Sequence, residues 1–420
     1  MAIGSSSEEV QVRLGKLEDV GRSESEELGL RVFFGQRSAS IHATDMSDAA
    51  LAELASRAVA MAKAAPEDEY AGLAPAELLA RGPMPELDLV DPSEPSPQQL
   101  RRLAEEAEDA ARAVKGVTNS EGGGASFGRS AVALATSHGF AGAYEATGIS
   151  LSASVLAGEG GAMQRDYEYR TVRHAADLLS PAEIGRVAGE RAVARLNPGK
   201  MPSKGMSVVF DQRVGHSLLG HLLGAMSGPS IARRSSFLLD RLEDELFPAD
   251  ILILEDPHRP RGLRSRPFDG EGLPCLPRAL VEKGRVTGWL TNAASARQLG
   301  IALTGHAARG ASGAPGVQPA NVHLAPGKIS RAELIADIED GVLVTELIGM
   351  GVNGVTGDYS RGASGFRIVN GEIAGPVAEF TVAGNLIDMF ARMSVADDLD
   401  IHRSMDVPTI RIEGMMVAGE

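Results

Sequence analysis

Glycine occupies 49 of the 420 positions, and this density constrains the fold more than any single motif does. Lacking a Cβ, glycine favours turns, close backbone contacts and β-hairpins and weakens long helices, so a helical bundle is disfavoured. Aromatic residues make up only 4% of the chain while apolar residues reach an ordinary 43%. At this length two or three cores are expected rather than one.

Local patterns fill in that picture. Leu28 to Phe34 is an apolar, β-branched run, Gly35-Gln36-Arg37 is a turn signal, and Ser38 to Ala43 alternates in the manner of a strand. Asp45 and Ser47 offer N-caps for an alanine-rich helix to about Lys63, so the first 60 residues read as strand, strand, helix. Pro85, Pro92, Pro95 and Pro97 stiffen a connector that ends in Ser96-Pro97-Gln98-Gln99, the start of a helix to about Val114. Ser180-Pro181-Ala182-Glu183 starts another that ends near Leu196, and Ser330-Arg331-Ala332-Glu333 repeats the serine and acid without the proline. Ser126 to Val155 reads as a β-meander.

Turn formers cluster at Asn197 to Pro202, the expected domain boundary, and a strand follows at Ser207 to Phe210. Beyond it hairpins are expected at Leu280 to Val286 and Phe366 to Ile373, the second with an Asn-Gly type I′ turn. The fold class is therefore α+β: a mixed α/β N-terminal domain over 1–200, followed by a β-rich, mostly antiparallel C-terminal domain over 201–420.

A net charge of −15 and the lack of any Lys/Arg block argue against nucleic acid. No window approaches the roughly 18 apolar residues of a membrane span, and the N-terminus has neither the basic nor the apolar region of a secretory signal. One cysteine, Cys275, can form neither an intrachain disulfide nor a multi-cysteine zinc site. A cytoplasmic location is expected.

The candidate chemistry centres on Gly215 to His221, GHSLLGH. Residues advance about 100° along a helix, so His216 and His221 should point about 140° apart, whereas H-E-x-x-H places its ligands on one face. Ser217 stands where such a motif carries its glutamate, and a hydroxyl cannot replace that base. Helix packing and surface are the expected roles of the two histidines.

A second candidate is the stretch Thr356, Gly357, Asp358, Tyr359, Ser360 and Arg361. It reads either as a wall of a peptide channel whose strand-edge amides hold substrate backbone, or as a structural turn with an Asp358–Arg361 ion pair. The glycine-rich run from Gly305 to Gly316 lacks the Gly-Lys-Ser/Thr end of a phosphate loop and reads as a mobile loop. His306 within it is a possible substrate contact or a surface residue, and Asp269, Glu271 and the Asp397-Asp398-Leu399-Asp400 run read as solvated loops.

Several stretches together carry a resemblance: GAMQRDYEY (Gly161 to Tyr169), Leu218 to His221, RSSFL (Arg234 to Leu238), RPFDGEG (Arg266 to Gly272), Thr304-Gly305-His306, TELIGMGVNGVTGDYSRGASGF (Thr345 to Phe366) and IEGMMVAG (Ile412 to Gly419). In this order and at these separations the chain resembles the TldD/PmbA family over nearly its whole length, and within it the PmbA (TldE) branch.

The resemblance implies a heterodimeric peptidase system. A TldD-type subunit carries the metal, expected to be zinc, on an H-E-x-x-x-H helix with a cysteine near the C-terminus. The PmbA type is the partner thought to lack it, and the pair is associated with cleaving unfolded peptides and maturing peptide antibiotics. Here His216 and His221 stand at the two histidine positions, Ser217 replaces the glutamate, and Ile401 to Met415 contains no cysteine.

The expected function is thus a non-catalytic, peptide-binding subunit with no catalytic residue and no metal of its own, partnered by a TldD-type subunit and able to form a homodimer in isolation. The alternatives are an autonomous metallopeptidase using His216 and His221 and a non-enzymatic homodimeric scaffold.

Overall fold

The computed structural model describes residues 1–420. β1 (Ala2–Arg13), β2 (Lys16–Phe34) and β3 (Arg37–Ala43) precede α1 (Asp48–Ala64), whose N-cap is Ser47. Three strands thus stand where two were expected, and the run from Leu28 is only the end of the second. The earlier part of this hairpin carries serine and glutamate on largely exposed faces, with Val10 and Val12 as its fully buried apolar residues. Alternation could not reveal strands that depend on pairing with their neighbours.

α2 (Pro97–Arg112) opens with the expected capping box of Ser96 and Gln99. β4 (Val117–Ala135), β5 (Ala141–Ala157) and β6 (Gln164–Val172) follow, then α3 (Pro181–Ala194), capped by Ser180. The sheet order is β3-β2-β1-β4-β5-β6, antiparallel throughout. α2 and α3 cover one face, burying Leu100, Leu151, Val155 and Ile184 completely. Each such side chain contributes about 1.5–3 kcal/mol. The two helices touch through small residues: a Cβ on Gly185 would stand 2.1 Å from the Ala107 carbonyl oxygen.

The chain continues through β7 (Lys204–Phe210), α4 (Gln212–Ala225), α5 (Gly228–Ala232), β8 (Ile253–Asp256), β9 (Arg278–Glu282) and β10 (Arg285–Val286). Next come α6 (Ala293–Leu299), β11 (Ala307–Ala308), β12 (Gly316–Val317), β13 (Asn321–Leu324) and α7 (Arg331–Ile335). β14 (Asp340–Ile348), β15 (Asp358–Val369), β16 (Glu372–Asn385), α8 (Leu386–Ala391), β17 (Met393–Val395), β18 (Met405–Asp406) and β19 (Ile410–Ala418) complete it.

Six of these strands form a sheet in the order β16-β15-β14-β7-β19-β17, and β16 also pairs with β19, closing it on itself. Only the β7–β14 pair is parallel. A second sheet runs β10-β9-β8-β13-β18. Both expected hairpins form, each turning on two consecutive residues of positive φ, Lys283-Gly284 and Asn370-Gly371, as a type I′ turn requires. The architecture is α+β with a β-rich C-terminal half. No helix is long and apolar enough to cross a membrane.

Candidate functional site

α4 is the element around which the site is built. Its buried stripe of Val214, Leu218 and Leu222 packs into the largest core cluster, beside Phe210 and Tyr359. That seating fixes the helix in rotation, and so decides where the polar residues between the stripe positions point.

His216 is turned toward Arg403 and Asp406, and burial followed by the Arg403 charge lowers its pKa. His221 is turned the other way, toward β15, where its ring meets Tyr359 edge-on at 6.1 Å between centroids. Burial, then the Arg361 guanidinium, lowers the pKa of His221. Both imidazoles are half-buried rather than at the surface, and each keeps a buried ring nitrogen without a hydrogen-bond partner, Nδ1 of His216 and Nε2 of His221. Ser217 Oγ donates back to the Val214 carbonyl at 2.7 Å. Nowhere in the chain do three or more His, Cys, Asp or Glu side chains gather as a potential ligand set, so the residues at the motif position do not fit a metal centre.

Beside His221 lies a cavity of about 300 Å³ lined by Gly220, His221, Phe237, Met350, Val352 and Arg361 among others. Two of the lining residues carry buried, unpaired polar atoms, His221 Nε2 and Arg361 Nε, and the unpaired Tyr359 hydroxyl belongs to the ring packed behind His221. Tyr359 is 1% exposed, and burial pushes its phenol up to about 12 despite Arg361, so it is a neutral donor. The group can offer hydrogen bonds to a polar ligand, such as a peptide backbone, and lacks any carboxylate general base.

The segment around Tyr359 differs from both of its expected readings. The strand-edge amides are already engaged: Ser360 N–H donates to the Gly351 carbonyl at 2.7 Å, and the Asp358 carbonyl accepts from Asn353 N–H at 2.8 Å. The other edge pairs with β16. Nor does the Asp358–Arg361 ion pair form, because residues three apart on a strand point to opposite faces. Asp358 instead accepts from Thr356 Oγ1 at 2.6 Å and from the Asn385 amide at 3.2 Å. Gly357 takes φ +82° with Asn385 and Phe237 close against it. Thr356, Gly357 and Asp358 thus hold the turn, while Tyr359 and Arg361 face the cavity region.

His306 is neither a surface residue nor placed to touch substrate. It is 2% exposed, with Nε2 2.7 Å from Glu255 Oε2 and Nδ1 2.8 Å from Thr304 Oγ1. Burial raises the Glu255 pKa, but His306 outweighs it and holds the carboxylate below its usual range. Asp269 and Glu271 are not solvated either. Asp269 is buried and accepts from the amides of Glu271, Leu273 and Ala307, and burial pushes Glu271 up to about 7. The glycine-rich run forms the small β11–β12 ladder, where a Cβ on Gly305 would meet the Pro274 carbonyl oxygen at 2.6 Å. Cys275 is buried and its thiol is pushed up to about 11 by burial, leaving it unreactive.

One residue escaped the sequence reading. Asp166 on β6 accepts from Arg213 of α4 at 2.7 Å and meets Arg195 at 3.3 Å, with 2% of its side chain exposed. Burial raises its pKa, yet the two arginines outweigh that and hold it low. It ties the N-terminal sheet to the first turn of the helix that bears the histidines. Its only sequence signal is its place in GAMQRDYEY, which names no partner.

Three family models match in succession: PmbA/TldA metallopeptidase domain 1 over 2–62, the central domain over 90–196 and the C-terminal domain over 203–419. The chain is 38% identical to the metalloprotease PmbA of Escherichia coli over 413 residues, covering 98% of this chain and 90% of that one. It is 37% identical to the Haemophilus influenzae homolog over 412 residues, covering 98% and 89%. The crystal structure of TldE from Thermococcus kodakarensis superposes with a TM-score of 0.88 at 23% identity, over 100% of this chain and 96% of that one, a likeness of fold.

Proposed function

The chain belongs to the PmbA/TldA metallopeptidase family, and from that premise we propose that it is the non-catalytic, peptide-binding subunit of a TldD/PmbA-type complex acting on unfolded or modified peptides. The observation that carries this reading is the state of the histidine helix. Of the two motif histidines only His221 faces the cavity, His216 is turned toward Arg403, and Ser217 is bonded to its own helix. Catalysis of peptide hydrolysis by a bound metal needs several protein ligands and a base for the attacking water, and this helix supplies one imidazole to its cavity. The metal, zinc, belongs to a TldD-type partner in the same cytoplasmic compartment.

The role left to this chain is to hold peptide and help enclose it. His221, Tyr359 and Arg361 supply unpaired polar atoms at or behind the cavity wall, and Met350, which lines it, is 91% exposed, with Ile348 and Val355 exposed close by in sequence. Apolar side chains left in water at a cavity mouth suit burial against a partner.

A rival reading, an autonomous metallopeptidase, draws on the word metalloprotease in the names of both relatives. One experiment separates them: hydrolysis of an unfolded polypeptide by the purified chain alone and after mixing with a TldD-type subunit, each with and without chelator. Activity confined to the mixture is the expected result, and chelator-sensitive hydrolysis by the chain alone would overturn the proposal.

A further inference from the structure

A second cleft, of about 290 Å³, shares no lining residue with the His221 cavity, and its walls include Arg170, Arg173, Arg259, Arg261, His402 and Arg403. Five guanidinium groups around one small cleft are unexpected in a chain of net charge −15. Three are matched or partly matched by carboxylates: Arg261 by Asp88 and Asp177, Arg259 by Asp406 at 3.4 Å, and Arg170 by Asp400 at 3.6 Å. The other two are not. Arg173 donates only to backbone carbonyls, those of Thr147, Gly262 and Leu263. Arg403 stacks on Tyr169, with its Cζ 5.6 Å from the ring centroid, and makes no ion pair. The Nε atoms of Arg170 and Arg403 are buried without a partner.

Unmatched, partly buried guanidinium groups with unused donors are costly unless an anion meets them, and their planar fork suits a carboxylate. The strand that leads into the cleft narrows the choice of anion. β6 carries Arg170 and runs to Val172, immediately before Arg173, and it is the outermost strand of its sheet, bonded only to β5. Its other edge has no strand partner, although Arg191 reaches the Tyr167 carbonyl, so an extended chain lying parallel to the last residues of β6 can align there and bring its C-terminus to the arginines. A free inorganic anion would make no use of that edge.

We propose that this cleft binds the C-terminal carboxylate of an extended peptide, with Arg170 and Arg403 as the carboxylate ligands and β6 as the backbone rail. The inference rests on the reading of this chain as a peptide-holding subunit and adds the end of the peptide that it recognises. His402, next to Arg403, reports occupancy. Burial and then the charges of Arg170 and Arg403 keep its pKa low, against the opposing pull of Asp400 and Asp406, so a seated carboxylate shifts it upward.

The test measures binding of a fluorescent, N-acetylated seven-residue peptide to the full chain by anisotropy, as the free acid and as the C-terminal amide, with inorganic phosphate as competitor. The free acid should bind at least about tenfold more tightly than the amide. Arg403→Gln and Arg170→Gln should each reduce that ratio toward one, and only the acid should raise the His402 pKa followed by NMR. The acid-to-amide ratio on the unaltered protein needs no variant to fold. Equal binding of acid and amide overturns this inference and leaves the peptide-holding role standing. No binding of either peptide overturns both. Phosphate binding at His402 with no preference for the acid overturns the peptide assignment in favour of a free-anion site.

Discussion

His306 and His221 are both enclosed by the C-terminal half of the chain, and their surroundings could hardly differ more. His306 has both nitrogens engaged, by Glu255 and Thr304, inside a pair of side chains that are each 3% exposed. His221 keeps a buried nitrogen with no partner, next to a tyrosine hydroxyl and an arginine Nε in the same condition. A folded chain rarely leaves such groups unmatched without reason. The first histidine holds the structure together, and the second has unused hydrogen-bonding capacity beside a cavity. Burial alone would have ranked them the other way, since the more buried of the two is the one with nothing to offer a ligand.

Mutation should separate the two regions by what each loses. Glu255→Ala leaves His306 and the Ala320 amide without their shared acceptor, and should cost about 3–5 kcal/mol of stability in urea unfolding. A loss below about 1 kcal/mol would break the comparison. Tyr359→Phe removes a hydroxyl that bonds nothing, so stability should change by less than about 1 kcal/mol, while peptide hydrolysis by the complex with the TldD-type subunit falls about tenfold or more. A stable variant with full activity would remove the cavity from the mechanism.

Acid sharpens the contrast further. The folded pKa of His221 lies below the ordinary 6.5, so the unfolded chain binds more protons and stability falls as pH drops through that region. Glu255 is depressed below 4.5, and its contribution, present above that value, is lost only as pH falls through its folded pKa. His221→Leu should therefore lessen the loss of stability as pH falls below 6.5, the rest of that slope belonging to His216, His323 and His402, and leave the lower limb intact, as pH-dependent unfolding would record. The smallest effect concerns metal. Dialysis of the isolated chain against chelator should leave its melting temperature unchanged, because stabilisation by a bound metal is lost on removal and this site has no ligand set to supply it.

Much of the frame was legible in the residues. Ser47, Ser96, Ser180 and Ser330 each cap the helix they were expected to start, because a cap is a short-range contact between a side chain and amides within three residues. The Asn370-Gly371 turn was legible for the same reason. The helical spacing of GHSLLGH likewise foretold that its histidines would diverge. β1 was not legible, since its serines and glutamates gain their strand geometry only by lying between β2 and β4.

The site divides along the same line. Sequence alone determined which residue types stand on the helix, including the serine in place of a glutamate, and so limited the chemistry this chain can perform. Only the tertiary structure decided what those residues meet. It sent His216 to Arg403 and His221 to Tyr359, took the amides of Ser360 and Asn353 for the protein's own turn, drew Asp166 to Arg213 across 47 positions, and gathered arginines from residues 170 to 403 around one cleft. Caps and turns are settled by neighbours in sequence. Ion pairs, orphaned donors and clefts depend on groups brought together over long separations, where burial strengthens each charge and raises the cost of leaving it unmatched.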